Sequence, residues 1–143
     1  MHQVFRTTRR VEFHQTDAAG IMHFSAFFTW METSEHDFLR SLGLGVLQRD
    51  ANGSVGWPRA STRCDFLGAV RFEDEVDVEV WVRRLGESSL TCAFRFRHGQ
   101  RDIAAGETTS VCCRESAEGQ WESTPMPSET ARKLQPFLES SSG

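Results

Sequence analysis

Residues 11–43, VEFHQTDAAGIMHFSAFFTWMETSEHDFLRSLG, decide the fold of this chain. They contain a turn of small residues at 16–20, followed by the longest helical pattern in the sequence. At helical spacing, one stripe is formed by Phe27, Trp30, Met31, Ser34, Phe38 and Leu42. With Ser25 as its N-cap and Gly43 as its stop, this pattern predicts a helix over residues 25–42 that buries one face.

Alternation of apolar and polar side chains predicts strands on both sides of this helix. The predicted strands are 3–13 before the helix and 57–66, 76–83, 90–97 and 102–114 after it. A loop is expected at 43–56, and a short helix at 128–138 follows two prolines. The serine-rich end, 140–143, is expected to be disordered.

A helix with one apolar stripe needs a second layer to cover it, and strands joined by short turns can supply a sheet. The order of strand, long helix and successive strands therefore predicts an α+β fold. We expect a single domain over residues 1–139, in which one long central helix is wrapped by a curved antiparallel sheet of about five strands.

The composition is that of an ordinary globular domain, with a formal net charge of −4 and 25% charged residues. There is no net positive field to attract nucleic acid, so no nucleic-acid partner is expected. No segment has the ~18 apolar residues of a membrane span, and the N-terminus lacks the apolar core of a signal peptide. We therefore expect a cytoplasmic protein without a stable membrane anchor. The cysteines fit no zinc-binding spacing and are expected to be buried free thiols: Cys64, Cys92, Cys112 and Cys113.

Asp17 is the candidate for chemistry, because it lies on the small-residue turn directly before the predicted helix. The free backbone N–H groups of a helix N-terminus, together with the helix dipole, can hold a polarised carbonyl oxygen. A carboxylate beside them could activate water or attack that carbonyl itself. The alternative is an aspartate that only hydrogen-bonds its own turn.

The run Thr16-Asp17-Ala18-Ala19-Gly20-Ile21, followed by Trp30-Met31-Glu32, resembles the 4-hydroxybenzoyl-CoA thioesterase family of hot-dog fold acyl-CoA thioesterases. The order of elements resembles that family over residues 4–115, and the residue-level likeness is concentrated in 13–32. This resemblance implies hydrolysis of a thioester of coenzyme A to the free acid and CoA. It also implies a homodimer or homotetramer with paired sheet edges, and no metal or organic cofactor, since coenzyme A is part of the substrate.

The same resemblance implies roles for individual positions. Asp17 would be the nucleophile or general base, and Gly20 would let the backbone turn tightly beside the thioester. The backbone N–H of Phe24 would polarise the thioester carbonyl. Many relatives carry His at the position of Phe24, whereas this chain has His23 one place earlier. His23 and Phe27 are candidates for substrate binding, with a structural role as the alternative for His23.

The phosphate groups of coenzyme A need cationic partners. The turn at 86–89, where the resemblance leads us to expect a basic residue, contains none. Arg59 and Arg63 are the candidates in its place, and Arg83 and Arg84 are further ones. The alternative for each is an ordinary arginine on the surface of a strand.

Three other interpretations remain open. Glu35 is a rival catalytic carboxylate, because another branch of hot-dog thioesterases uses a helix glutamate; otherwise it is a structural residue bonded across a subunit contact. A hydratase of enoyl-CoA or hydroxyacyl-CoA would carry its Asp and His at a spacing other than the six residues from Asp17 to His23. The third interpretation is a non-catalytic module that binds acyl-CoA.

Overall fold

The computed structural model describes residues 1–140. Its strands are β1 (Phe5–Arg10), β2 (Leu47–Asp50), β3 (Gly53–Gly56), β4 (Arg59–Phe66), β5 (Glu75–Leu85), β6 (Ser89–His98), β7 (Arg101–Val111), β8 (Cys113–Glu115) and β9 (Trp121–Ser123). Its helices are α1 (Phe24–Ser41) and α2 (Ser128–Leu134), and short 3-10 segments lie at Phe13–Gln15 and Gln135–Phe137. Neither described α-helix is long and apolar enough to cross a membrane.

Five strands form the main antiparallel sheet, in the order β1-β5-β6-β7-β4. The inward side chains of β5 are fully buried valines: Val76, Val78, Val80 and Val82. The apolar face of α1 packs against them in one core, and its buried residues are Phe27, Trp30, Met31, Ser34, Glu35, Phe38 and Leu39. The predicted α+β fold, with one long helix on a five-stranded antiparallel sheet, is confirmed.

α1 begins one residue earlier than predicted because His23, and not Ser25, is its N-cap. His23 has extended backbone angles, and its ring accepts a hydrogen bond from the backbone N–H of Ser25. At the other end, Gly43 adopts φ +74° and its N–H bonds to the carbonyl oxygen of Arg40. This left-handed residue ends the helix as predicted, since glycine reaches that conformation without strain.

The predicted loop at 43–56 is wrong, because it contains the hairpin β2–β3. This hairpin belongs to a second antiparallel sheet with the order β2-β3-β8-β9. β3 pairs with β8, which follows it by more than fifty residues. The local glycine-rich pattern predicts a loop because it contains no information on this distant partner. The predicted strand 102–114 is divided in two because the chain passes from one sheet to the other. β7 ends at Val111 in the main sheet, and β8 begins at Cys113 in the second sheet.

Two further boundaries differ from the prediction. The first strand ends at Arg10, because the chain turns through the 3-10 segment Phe13–Gln15 towards the small-residue turn. The predicted helix at 128–138 stops at Leu134 and continues as a 3-10 turn through Pro136, which cannot donate an α-helical hydrogen bond. Of the predicted disordered end, residues 141–143 lie outside the described residues.

Gly106 of β7 sets how closely α1 approaches the sheet. A Cβ atom at this position would lie 2.6 Å from the sulfur of Met31 on α1. It would also lie 2.7 Å from the carbonyl oxygen of Arg63 on β4. The helix and the sheet therefore touch across a position where only a hydrogen atom fits.

We predict that Gly106→Ala lowers the free energy of unfolding by about 1–3 kcal/mol, because overpacking forces backbone to move. Gly45→Ala is the matched control, since a Cβ atom there makes only ordinary contacts, at 3.6 Å. Urea denaturation of both variants measures the difference. Equal stabilities would show that the sheet and helix are not in close contact at Gly106.

Candidate active site

The turn that carries Asp17 is closed by backbone hydrogen bonds. The N–H of Asp17 donates to the carbonyl oxygen of Ile21 at 2.9 Å. The N–H of Gly20 donates to the carbonyl oxygen of Asp17, also at 2.9 Å. Gly20 adopts φ +78°, which a side chain would strain. The N–H of Met22 bonds to the carbonyl oxygen of Val70 at 2.8 Å and so ties the turn to the segment after β4.

The Asp17 carboxylate is half-buried, and its two oxygens differ. Oδ1 accepts hydrogen bonds from the N–H of Ala19 at 2.8 Å and of Ile21 at 3.4 Å. Oδ2 accepts none from residues 1–140. The alternative role, an aspartate that only hydrogen-bonds its own turn, therefore accounts for Oδ1. Oδ2 is free to act on a substrate.

The start of α1 provides an oriented hydrogen-bond donor. His23 is the N-cap of the helix, with φ −66° and ψ 139°, and its ring accepts a hydrogen bond from the N–H of Ser25. The N–H of Phe24, the first helical residue, has no partner within residues 1–140. It is one of the donors that a helix N-terminus leaves unsatisfied, and it carries the positive end of the helix dipole.

Asp17 and Phe24 line the same cleft, which has a volume of about 220 Å³. Its other walls are Ile21, Met22, Phe27, Phe66, Gly68, Ala69 and Val70. Aromatic rings dominate these walls: the Phe66 ring centroid lies 6.1 Å from that of Phe24 and 5.6 Å from that of Phe27. Phe24 and Phe66 are 58% and 47% exposed, so the cleft opens through an apolar rim.

A second, polar cleft of about 370 Å³ is lined by His23 and Ser25 on the other side of the α1 start. The remaining residues that line it are His14, Gln15, Thr16, Ala26 and Thr29. Of the predicted substrate-binding residues, Phe27 lies in the Asp17 cleft and His23 lies in this neighbouring one. Gly20 forms the turn beneath Asp17 and lines neither cleft.

Arg59 and Arg63 do not line either of these clefts in the single chain. Nη1 of Arg59 forms an ion pair with Glu35 and donates to Ser110 Oγ at 2.9 Å. The side chain of Arg63 is 69% exposed, and its Nε lies 3.7 Å from Oε1 of Glu107. Both arginines lie on β4, one of the two edge strands of the main sheet.

Glu35 has partners in its own chain, whereas the structural role predicted from the sequence has its partner across a subunit contact. Its side chain is 3% exposed and is held by Arg59 and by Thr108, whose hydroxyl lies 3.4 Å from Oε1. The pKa of the neighbouring Cys92 thiol is raised well above its usual value. Burial is the larger cause and the negative charge of Glu35 is the second. Glu35 lies about three helical turns from Phe24, so it belongs to a separate region of the molecule.

Several residues of the Asp17 cleft were not found from the sequence. They lie at and directly after the end of β4 and are Phe66, Gly68, Ala69 and Val70. Arg71, next along the chain, donates to the carbonyl oxygen of Gly20 at 3.3 Å and was also missed. The only sequence signal was the apolar pair Phe66-Leu67 at the end of a polar strand; the contact with residues 17–24 is a tertiary one.

The cysteines are free thiols, as predicted. Cys92, Cys112 and Cys113 are buried, while Cys64 on β4 is half-buried. Burial, together with the charge of Asp65, raises the pKa of Cys64 to about 11. Across the described part of the chain, no three His, Cys, Asp or Glu side chains are grouped as a metal ion would require.

The sequence matches a family described as the thioesterase-like superfamily over residues 11–134, which is most of the chain. This chain belongs to the thioesterase-like superfamily. The finding confirms the resemblance seen in the sequence and the expected class of enzyme, a hydrolase of thioester bonds.

Known members of the superfamily are similar to this chain over most of their length. A 1,4-dihydroxy-2-naphthoyl-CoA hydrolase of Synechococcus sp. (strain WH7803) is 31% identical over 108 residues, covering 71% of each chain. The structure of a gentisyl-coenzyme A thioesterase is similar with a TM-score of 0.76 and 27% identity, over 92% of this chain and 99% of the other. A 1,4-dihydroxy-2-naphthoyl-CoA thioesterase from Synechocystis, 19% identical, shares the fold with a TM-score of 0.82 over 93% and 96% of the chains.

Proposed function

We propose that this thioesterase hydrolyses an aromatic acyl-CoA, with Asp17 as its catalytic carboxylate. One observation carries the proposal: Asp17, whose Oδ2 has no hydrogen-bond partner within residues 1–140, and Phe24, whose backbone N–H has none there either, line a single cleft. Thioester hydrolysis needs these two groups, since one supplies or activates the nucleophile and the other stabilises the oxygen on which negative charge develops.

The reaction begins with the thioester carbonyl oxygen accepting a hydrogen bond from the N–H of Phe24. Asp17 Oδ2 then either removes a proton from a water molecule that attacks the carbonyl carbon, or attacks that carbon directly to form an acyl-enzyme. Oδ1 is held by Ala19 and Ile21, so the carboxylate keeps its orientation in either case. An acyl group bound among the surrounding phenylalanines displaces water from the cleft, which strengthens the electrostatic interactions at the carbonyl.

The aromatic acyl group is favoured by the walls of the cleft. Phe27 connects the exposed ring of Phe66 with the buried ring of Phe96, whose centroid lies 5.4 Å from its own. Such a surface binds flat rings through offset and edge-to-face contacts. The names of two relatives, a dihydroxynaphthoyl-CoA hydrolase and a gentisyl-coenzyme A thioesterase, support the same class of acyl group.

The edge strand β4 supports a homodimer, which could pair further into a tetramer. Seven of its eight residues are exposed and the other, Cys64, is half-buried. β4 pairs only with β7 in the main sheet, so its other hydrogen-bonding edge is unpaired within the described chain. Arg63 and Asp65 lie two residues apart on its outer face. An antiparallel two-fold pairing centred on Cys64 would set each Arg63 opposite the Asp65 of the other copy, a favourable cross-strand pair. In such a dimer, Arg59 and Arg63 would be near the partner's substrate, where either could contact CoA phosphates.

We predict that Asp17→Asn lowers kcat by roughly 10²–10⁴-fold, because the variant keeps the volume of the side chain but loses its negative charge. Hydrolysis is measured as thiol released from benzoyl-, naphthoyl- and straight-chain acyl-CoA. The change should appear mainly in kcat, since the acyl walls are untouched. Label from ¹⁸O-water entering Asp17 in a single turnover would identify an acyl-enzyme.

Glu35→Gln is the matched control and is expected to retain substantial turnover. A folded, fully active Asp17→Asn together with an inactive Glu35→Gln would reverse the assignment of the catalytic carboxylate. If the protein adds water to an enoyl-CoA, the proposed activity is wrong and the protein is a hydratase. If it binds acyl-CoA but hydrolyses no thioester, it is a non-catalytic binding module.

We predict that Phe24→Pro lowers kcat by about 10²–10³-fold, because proline has no N–H to hold the carbonyl oxygen. The fold should tolerate this change: proline is favoured at the first position of a helix, and His23 before it already has the extended angles that proline requires. Phe24→Leu, which keeps the N–H, should retain most of kcat. A folded, fully active proline variant would show that this N–H does not polarise the substrate.

We predict that Asp65→Arg weakens self-association by about 10-fold or more, since it sets like charges opposite each other at two places in the two-fold pairing. The double variant Arg63→Asp, Asp65→Arg exchanges the two charges and should restore it. Sedimentation equilibrium measures the dissociation constants. An active wild-type monomer at micromolar concentration, or a charge reversal without effect, would exclude this interface.

A further inference from the structure

His23 separates the two clefts at the start of α1. Phe24 lines the Asp17 cleft, whereas His23, the residue before it, lines the polar one. The rings of these two residues stack, with their centroids 4.5 Å apart. A substrate that occupied both clefts would therefore extend along this pair of residues.

The contacts of His23 assign its tautomer. Its Nδ1 lies 3.2 Å from the backbone nitrogen of Ser25 and 2.8 Å from the Ser25 hydroxyl oxygen. A backbone N–H can only donate, so Nδ1 is the acceptor and the neutral ring carries its hydrogen on Nε2. Nε2–H lies on the opposite side of the ring and has no hydrogen-bond partner within residues 1–140.

The chemistry of the two clefts sets the direction of a bound thioester. The carbonyl oxygen lies at the N–H of Phe24, and the aromatic acyl group fits the phenylalanine-lined cleft beside Asp17. The pantetheine arm on the other side of the thioester carries amide and hydroxyl groups, which need hydrogen-bonding partners. Gln15, Thr16 and Thr29 in the polar cleft offer them. The sulfur atom between the two halves then lies at the junction, next to His23.

We propose that His23 is a catalytic residue whose Nε2–H donates a hydrogen bond to the thioester sulfur as the carbon–sulfur bond breaks. The proposal rests on the function proposed above and adds a group that acts on the leaving thiol. A hydrogen bond to an ionised acceptor is stronger than one to a neutral acceptor. The contact therefore stabilises the departing thiolate more than the bound thioester, which is the requirement for catalysis.

The step balances without a net proton transfer from His23. Water attacks the carbonyl carbon, and Asp17 takes one of its protons while the carbonyl electron pair moves onto oxygen. When the carbonyl re-forms, the carbon–sulfur bond breaks and its electron pair leaves on sulfur, which is hydrogen-bonded to Nε2–H. Asp17 returns its proton to the thiolate, and the products are the free acid and the thiol. If Asp17 attacks directly, the same contact acts on the sulfur as the acyl-enzyme forms.

The test varies the leaving thiol while the acyl group stays constant. The substrates are the benzoyl thioesters of N-acetylcysteamine, thiophenol and 4-nitrothiophenol, whose thiols become steadily more acidic. The variant is His23→Asn, because asparagine is a good N-cap whose Oδ1 can still accept from the Ser25 N–H. Its amide nitrogen then takes the place of the ring atom Cδ2, so its N–H groups do not reach the position of Nε2–H. Ser25→Ala is the matched control, since it alters the same cap while keeping the imidazole ring.

We expect His23→Asn to lower kcat/KM about 10-fold to 100-fold for the N-acetylcysteamine ester, the range of a hydrogen bond to a charged group. The loss should be less than about 3-fold for the 4-nitrothiophenol ester, because its stable thiolate needs no assistance. Ser25→Ala should affect all three esters by the same small factor. The thiophenol and 4-nitrothiophenol esters carry no part of the pantetheine arm, so a larger loss on the thiophenol ester than on the 4-nitrothiophenol ester cannot come from contacts with that arm.

An equal loss on all three esters in His23→Asn, or no loss on any, would overturn the role of His23 and leave the proposed function in place. In contrast, a wild-type enzyme that hydrolyses neither these benzoyl thioesters nor any aromatic acyl-CoA would overturn the proposed function itself. Circular dichroism spectra matching the wild type confirm that the variants are folded.

Discussion

The structure depends on the contact between the apolar face of α1 and the inner face of the central strands. That contact buries most of the hydrophobic side chains of the domain, and burial of this kind is the main favourable term in folding. Gly106 permits the close approach, because any larger residue would meet Met31. With the helix axis fixed in this way, its N-terminus meets the turn that carries Asp17, and the hydrogen bond from Met22 to Val70 holds that turn in place.

Two carboxylates, one on α1 and one directly before it, have opposite environments. The difference distinguishes a structural role for one from the proposed catalytic role of the other. Glu35 is buried and held by Arg59 and Thr108, so removal of its partner would leave a charge without compensation in the core. Asp17 is half-buried at a cleft, with one oxygen fixed by its turn and the other free. A carboxylate that must react with substrate needs the second arrangement, since a paired oxygen cannot approach a carbonyl carbon.

Part of the exposed apolar surface of the described residues lies at this cleft. Phe24 and Phe66 are exposed around its rim, and β4, which ends at Phe66, presents an unpaired edge. An exposed strand edge next to exposed aromatic rings is costly for a monomer in water. Substrate binding and self-association both bury such groups, so the proposed active site and the proposed subunit contact use one continuous surface.

The sequence by itself determined the long helix, the paired central strands and the position of Asp17 before the helix. These features are encoded in local periodicity, in the glycine at 43 and in the small residues of the turn, all of which act over a few neighbouring positions. The tertiary structure alone decided that Phe66 and residues 68–70 complete the cleft, that Arg59 pairs with Glu35 and that β3 joins β8. Each of these contacts joins segments at least twenty residues apart, and its energy comes from packing and charge pairing in space, which no local pattern records.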